Sequence, residues 1–285
     1  MPVTPPFPPL AEIMSLVGDT GRRLAEIEAS EGAAGNITVY LGWPLEPEAV
    51  FPRAQPLELP YPMPELAGGC VLATGSGRRL REVAAAPTAN LGLVAFDREG
   101  QAARLHTSRD CLFARLTSEL NSHLAVHCDQ VGGSGSNFHA LIHAQPLHLV
   151  YLSHIARYQE EGYLNRHLLR WQPEGIVQLP GGIGYIPFLV PGSEQLKDAN
   201  VEKLRTHQIV LWAKHGVMAR SDSSVKRACD LIEYAETGAR YEYMNLCNHG
   251  LADGLSEAEV RAICQAYGLE QSIFQARRRA WHPCG

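Results

Sequence analysis

Apolar positions recur along this chain with two different periods, and the switches between them mark out its elements. Leu10, Ile13, Met14, Leu16, Val17, Leu24 and Ile27 fall on one face of a 3.6-residue repeat, which predicts a helix over 10–30 with an interruption at Gly18. The small-residue stretch Glu31-Gly32-Ala33-Ala34-Gly35-Asn36 stops it and opens into Ile37-Thr38-Val39-Tyr40-Leu41, a strand by its β-branched content. Residues 43–64 hold many prolines and little periodicity, so an irregular excursion over the surface is expected there. Cys70 to Thr74 reads as a short buried strand delivering the loop Thr74-Gly75-Ser76-Gly77, and 91–96 and 103–106 read as strands joined through a turn at 97–100.

The second half alternates strands and helices in the same way. Thr117-Ser118-Glu119 stands at a helix start that continues through Cys128. Ala140, Leu141 and Ile142 form a strand ending on His143, Gln145 and Pro146 break the pattern, and 147–155 reads as a helix. A helix is expected within 162–170, and Ser193 is placed to cap another over 194–207. The apolar run 209–212 predicts a buried strand passing into Ala213-Lys214-His215-Gly216. The longest helix is expected over 223–245, and a last one over 256–267 starts with the capping-box residues Ser256 and Glu259. The whole is an α/β pattern.

Composition narrows the partners. The 285 residues are 45% apolar and 19% charged with a formal net charge of -5, so no basic footprint for nucleic acid is expected. No apolar run approaches the roughly 18 residues of a membrane span, and the first residues lack the basic and apolar regions of a secretory leader. Seven cysteines, Cys70, Cys111, Cys128, Cys229, Cys247, Cys264 and Cys284, are widely spaced with no CxxC pair. This predicts reduced thiols in a cytoplasmic protein, and neither a disulfide framework nor a structural zinc knot.

The candidate chemistry sits at strand ends. His143 and His215 each end a strand, where α/β folds place reactive groups, and Glu119 opens a helix. Together they make a plausible divalent metal site with an open position. Glu119, His123 and His127 lie four apart and so share a helical face; the two histidines are read as packing residues and supports. Loops rich in glycine and hydroxyls, at Gly35-Asn36, Ser76-Gly77 and Thr117-Ser118, could hold a phosphate through backbone N–H groups.

In order and spacing, these motifs resemble the class II aldolase and adducin family over roughly 10–270: GNIT at 35–38, TGSG at 74–77, NLGLV at 90–94, TSE at 117–119, the histidine strand end, PGGIG, IPF and VPG within 180–192, and LWAKHGV at 211–217. The resemblance implies a single domain over 1–285, with a proline-rich lead at 1–9, a tail at 273–285, and a mixed central sheet covered by helices on both faces. It implies a lyase that reversibly cleaves a ketose 1-phosphate, L-rhamnulose 1-phosphate foremost, to dihydroxyacetone phosphate and an aldehyde, L-lactaldehyde. It further implies a homotetramer with sites at subunit boundaries. By the same resemblance His143 and His215 are metal ligands, and Glu119 handles the proton at the carbon that becomes the enediolate. Gly35, Asn36, Ser76, Gly77 and Ser118 cradle the phosphate half, and Glu174 lies near the aldehyde half. For its proton role Glu119 is expected to have a pKa raised by partial desolvation.

The family carries His-x-His on the central strand end, whereas here Gln145 stands at the second position or, in a register shifted by two residues, Leu141 stands at the first, so one histidine is missing under either. Gln145 is therefore the expected third ligand, with His148 or His139 as alternatives. Zinc is expected first, and the amide oxygen would favour a harder cation such as Mn²⁺ or Mg²⁺. Two other readings stay open: another enzyme of this fold, an epimerase, dehydratase or decarboxylase, or a metal-free binding protein of the adducin kind.

Overall fold

The computed structural model describes residues 2–274. Residues 275–285, which include most of the expected C-terminal tail and Cys284, lie outside the described residues. Nine strands form one sheet: β1 (Asn36–Leu41), β2 (Arg53–Leu57), β3 (Cys70–Thr74), β4 (Leu91–Phe96), β5 (Ala103–Thr107), β6 (Phe138–Ala144), β7 (Gly184–Ile186), β8 (Ile209–Trp212) and β9 (Gly216–Ser221). They lie side by side in the order β2-β5-β4-β3-β1-β6-β9-β8-β7. Only β7 and β8 run parallel, so the sheet is mixed, as the resemblance implied.

The helices are α1 (Leu10–Glu26), the single turn α2 (Pro87–Asn90), α3 (Leu120–Ser134), α4 (Leu147–Leu152), α5 (Glu161–Leu168), α6 (Pro173–Gln178), α7 (Glu194–Leu204), α8 (Val225–Cys247) and α9 (Glu257–Tyr267). Alternation along the central strands explains how they divide. Ile37, Val39, Leu41, Ala140 and Ile142 point to one face and pack with Val17 and Leu24 of α1 and Leu231 and Ile232 of α8. Val71, Ala73 and Val94 point to the other and meet Leu124 and Val131 of α3, while Leu141 and Met218 meet Leu196 and Leu204 of α7. Every residue of β1 and β6 is buried, the expected state of central strands covered on both sides.

One expectation is corrected. Residues 43–64 are not wholly irregular, because β2 pairs antiparallel with β5 at the outer edge of the sheet. Pro56 hid it: proline cannot donate to a ladder, but an edge strand leaves one row of N–H groups unpaired in any case. Helix ends also differ, α1 stopping at Glu26 and α7 at Leu204, and residues 173–178 form a helix that the sequence did not announce. Cys70, Cys111, Cys128, Cys229, Cys247 and Cys264 are all unpaired.

Candidate active site

Strand register builds the site. In the β1/β6 ladder Asn36 lies directly beside His143, so their side chains leave the same face. Glu119, at the N-terminal boundary of α3, drops onto both: it accepts a hydrogen bond from Asn36 Nδ2 at 2.9 Å and lies 3.7 Å from His143 Nε2. The third group arrives on the β8/β9 hairpin, whose loop Ala213-Lys214-His215 brings His215 Nε2 to 4.0 Å from the other Glu119 oxygen. Lys214 holds a left-handed backbone at φ 63°, uncommon for a residue with a side chain, and its N–H donates to Ser153 Oγ at 2.7 Å. Gly216 follows because a Cβ there would lie 2.5 Å from the Ala144 carbonyl and 2.8 Å from His143 Cε1.

The tautomers follow from the partners. A carbonyl only accepts, so the contact of 2.9 Å between His143 Nδ1 and Val217 O places a proton on Nδ1 and turns Nε2 toward Glu119. His143 also stacks on Trp212 at 4.5 Å between ring centres, which fixes the ring plane. Burial favours the neutral form of His215, and nearby His143 adds to this; despite the Glu119 charge its pKa falls to about 4. For Glu119, burial pushes the carboxyl up, but His143, the Asn36 amide, His123 and His215 together hold it below the ordinary carboxylate range. This reverses the expectation of a raised pKa: the carboxyl is dry, yet its neighbours favour the charge.

The oxygen and the imidazole nitrogens of Glu119, His143 and His215 lie within 4.8 Å of one another. The Glu119 carboxylate faces the Nε2 atoms of both histidines at more than hydrogen-bond distance, an arrangement that a cation between them would satisfy. His215 Nδ1 is buried without a partner. This donor set of one carboxylate and two imidazoles fits a divalent ion of the zinc or manganese kind.

The group lines a cavity of about 190 Å³ together with Gly35, Asn36, Ser76, Gly77, Ser118 and Gln145. All the phosphate-loop residues singled out from the sequence therefore converge. They are held together by pairing between loops: Ser76 N–H donates to Arg115 O at 2.9 Å, and Thr117 N–H to Thr74 O at 3.1 Å. Gly35, with φ 84°, lets the chain turn past the His143 carbonyl, which a Cβ there would approach to 2.9 Å. Pro191 also lines the cavity, and nothing in its VPG context assigned it a wall position in advance.

Three candidates lie elsewhere. Glu174 is exposed on α6 and lines no part of this cavity. His148 Nδ1 is bound to Glu236 Oε1 at 2.6 Å, and His139 is enclosed beside His127 at 2.8 Å, so neither leans in as a ligand. Gln145 lies on the cavity wall and also borders a second cavity of about 750 Å³, lined among others by Glu31, Arg81, Leu147, Tyr151 and His154.

The fold and this centre are those of an α/β protein with a carboxylate–imidazole group that could hold a divalent ion. Residues 15–243 match the family profile described as the class II aldolase and adducin N-terminal domain. The chain belongs to that family. It is 30% identical over 243 residues to a rhamnulose-1-phosphate aldolase of Shigella boydii, covering 84% of this chain and 87% of that one. A rhamnulose-1-phosphate aldolase of Enterobacter is likewise 30% identical, over 75% of this chain and 76% of the relative. Among solved structures, a sugar-phosphate aldolase from Thermotoga maritima superposes with a TM-score of 0.71 at 27% identity, covering 84% of this chain and 97% of that one. The mixed sheet covered by helices is thus the family's fold, and the chain is of the lyase type. Among the described residues no helix is long and apolar enough to cross a membrane.

Proposed function

We propose that this protein is a metal-dependent aldolase that reversibly cleaves a ketose 1-phosphate, with L-rhamnulose 1-phosphate the first candidate, to dihydroxyacetone phosphate and L-lactaldehyde. The observation that carries this reading is the Glu119 carboxylate set between His143 Nε2 and His215 Nε2 on the wall of a cavity built from glycine- and hydroxyl-bearing loops. His143 and His215 would hold the cation, zinc or the harder manganese or magnesium, with the Gln145 amide as third donor on the same wall and the Glu119 carboxylate facing it for the proton step. Such an ion supplies positive charge against the negative charge that develops on substrate oxygens when the carbon–carbon bond breaks.

The chain's own groups do the rest. Gly35, Asn36, Ser76, Gly77 and Ser118 bind and orient the phosphate half through amides and hydroxyls. Glu119 moves the proton at the carbon beside the carbonyl of that half. Its depressed pKa suits the direction of carbon–carbon bond formation, in which a carboxylate removes that proton; in cleavage it returns it. The larger cavity that shares Gln145 offers space for the aldehyde half. Glu174, exposed on α6, would serve that half from a neighbouring subunit, in keeping with a homotetramer whose sites lie at subunit boundaries. The unpaired cysteines suit a cytoplasmic setting.

The test is release of dihydroxyacetone phosphate from L-rhamnulose 1-phosphate by the full chain with Zn²⁺, with Mn²⁺ and with a chelator. Metal-dependent release supports the reading, and release unaffected by exhaustive chelation contradicts it. If this substrate is inert while other ketose 1-phosphates are cleaved, only the sugar is wrong. A second reading, that the centre performs epimerisation, dehydration or decarboxylation, is favoured by one observation, Gln145 at a position where the family carries histidine; product analysis by NMR separates it from cleavage.

A further inference from the structure

The face of α3 that begins with Glu119 continues inward as a row of buried polar groups that the proposed chemistry leaves without a role. On β1 alternate residues face α3 at a spacing of roughly 6.7 Å, and on the helix every fourth residue recurs at roughly 6 Å, so the two repeats keep step. Asn36 meets Glu119; Thr38 Oγ1 lies 2.7 Å from His123 Nδ1 and 2.8 Å from His127 Nε2; and His127 Nδ1 lies 2.8 Å from His139 Nδ1 on β6. Thr38, His123 and His127 are fully enclosed and His139 is 1% exposed. The row starts next to the site, since His123 N–H donates to the Glu119 backbone carbonyl at 3.1 Å.

Counting protons restricts this row to two states. Burial keeps all three imidazoles neutral, with His123 and His139 pulled down to about 3 and His127 well below its usual value, so each ring carries one N–H. Thr38 has one proton, so it donates to one imidazole and accepts from the other. If it donates to His123, then His127 carries its proton on Nε2, His139 on Nδ1, and His123 on Nε2. If it donates to His127, every assignment reverses: His123 and His127 carry Nδ1–H, and His139 carries Nε2–H. The two free ends, His123 Nε2 and His139 Nε2, are the atoms that lack partners. The row switches as a unit, because the proton on each ring fixes the proton on its neighbour.

We propose that Thr38 is a positioning residue of this active site, whose single hydroxyl proton locks the His123–His127–His139 row into one tautomer order. The locked row fixes α3 against β1 and β6, and so fixes Glu119 relative to His143. It rests on the proposed aldolase chemistry only for its kinetic consequence; the tautomer order is a property of the chain itself.

The test combines ¹⁵N–¹H correlation spectra of the histidine rings with metal titration and kinetics, on the wild-type chain and on the Thr38→Val and Thr38→Ser variants. In the wild type the rings should show a single one of the two orders, either His123 Nε2–H with His139 Nδ1–H or His123 Nδ1–H with His139 Nε2–H. Thr38→Ser keeps the hydroxyl and should keep both assignments. Thr38→Val matches the shape without the proton, so the row should lose its single order, Zn²⁺ affinity by chelator competition should weaken about tenfold, and kcat should fall about tenfold at near-constant KM. A mixture of tautomers in the wild type, or Nε2–H on both His123 and His139, would overturn the proposal. So would a folded Thr38→Val chain with unchanged tautomers, metal affinity and kcat. Should Thr38→Val fail to fold, the wild-type and Thr38→Ser spectra still decide the assignment. A wild type with the stated tautomers but no release of dihydroxyacetone phosphate would sink the aldolase reading and leave the locked row standing.

Discussion

His143 donates from Nδ1 to the carbonyl of Val217 at 2.9 Å, across the ladder between β6 and β9, and this bond decides which nitrogen faces Glu119. A strand-end histidine could present either nitrogen; the carbonyl on the neighbouring strand takes Nδ1 and leaves Nε2 facing the cavity. The centre is therefore oriented by main-chain pairing as much as by its own side chains.

Removing the cation is expected to abolish cleavage and to lower thermal stability, because an ion bound to the folded state alone stabilises it by mass action. The melting temperature with and without a chelator, followed by readdition of Zn²⁺ or Mn²⁺, checks this. An unchanged melting temperature together with unchanged activity would show that the carboxylate–imidazole group holds no ion.

Glu119→Gln keeps the size of the side chain but removes its charge and its capacity to exchange a proton. We expect kcat to fall by about 100-fold or more, the range for loss of a positioned proton-transfer group. Circular dichroism should show the fold retained, since Glu119 caps no helix through its side chain. Near-normal turnover would remove Glu119 from the proton step.

Gln145→His offers an imidazole where the cavity wall now carries an amide. Imidazole is the better zinc donor, so the variant should bind Zn²⁺ about tenfold more tightly in a chelator competition and shift preference away from Mn²⁺. No change in either would place the residue 145 side chain outside the coordination shell and assign it to substrate.

Gly216→Ala introduces a Cβ that meets the Ala144 carbonyl at 2.5 Å and His143 Cε1 at 2.8 Å, and the first of these is backbone that cannot yield locally. The β6/β9 pairing beside the site must shift, costing about 1–3 kcal/mol by denaturant unfolding, and metal affinity should drop with it. Unchanged stability and affinity would mean that the hairpin adapts elsewhere.

Acidification should destabilise the metal-free chain in a window set by its buried histidines. Their folded pKa values lie below the ordinary 6.5, so the unfolded state binds more protons once the pH falls below about 6.5, and stability present above that value is lost as the pH drops. Each of His123, His127 and His139 adds a slope of about 1.4 kcal/mol per pH unit below 6.5, and the depressed Glu119 adds further loss below the ordinary carboxylate range. Urea unfolding at pH 7 and pH 5.5 measures the slope; a flat profile would contradict the burial of neutral imidazoles.

Much of this protein was legible in its sequence because the signals are local. Period and β-branching placed β1, β3, β4 and β8 closely, since a strand buried on both faces must be an apolar run, and Ser256 with Glu259 announced α9 through a capping box. The glycine and hydroxyl loops could be picked out because only such residues allow a backbone to approach a ligand closely. Sequence by itself determined which residue types were available for chemistry: Glu119, His143, His215, Gln145 and three anion-type loops. Tertiary structure alone decided which of them meet. β2 stayed hidden because its proline is tolerated only at an edge, and edges are defined by the whole sheet. The charge state of Glu119 came out opposite to expectation because burial is a single cost, whereas His143, Asn36, His123 and His215 arrive from four separate segments to oppose it. His139 and Thr38 are far from Glu119 in sequence, and the GNIT motif that ends on Thr38 marked a loop and not this contact, yet they join its row because the strand step and the helix step nearly coincide. That coincidence belongs to the packing of α3 on β1 and β6, and no single segment contains it.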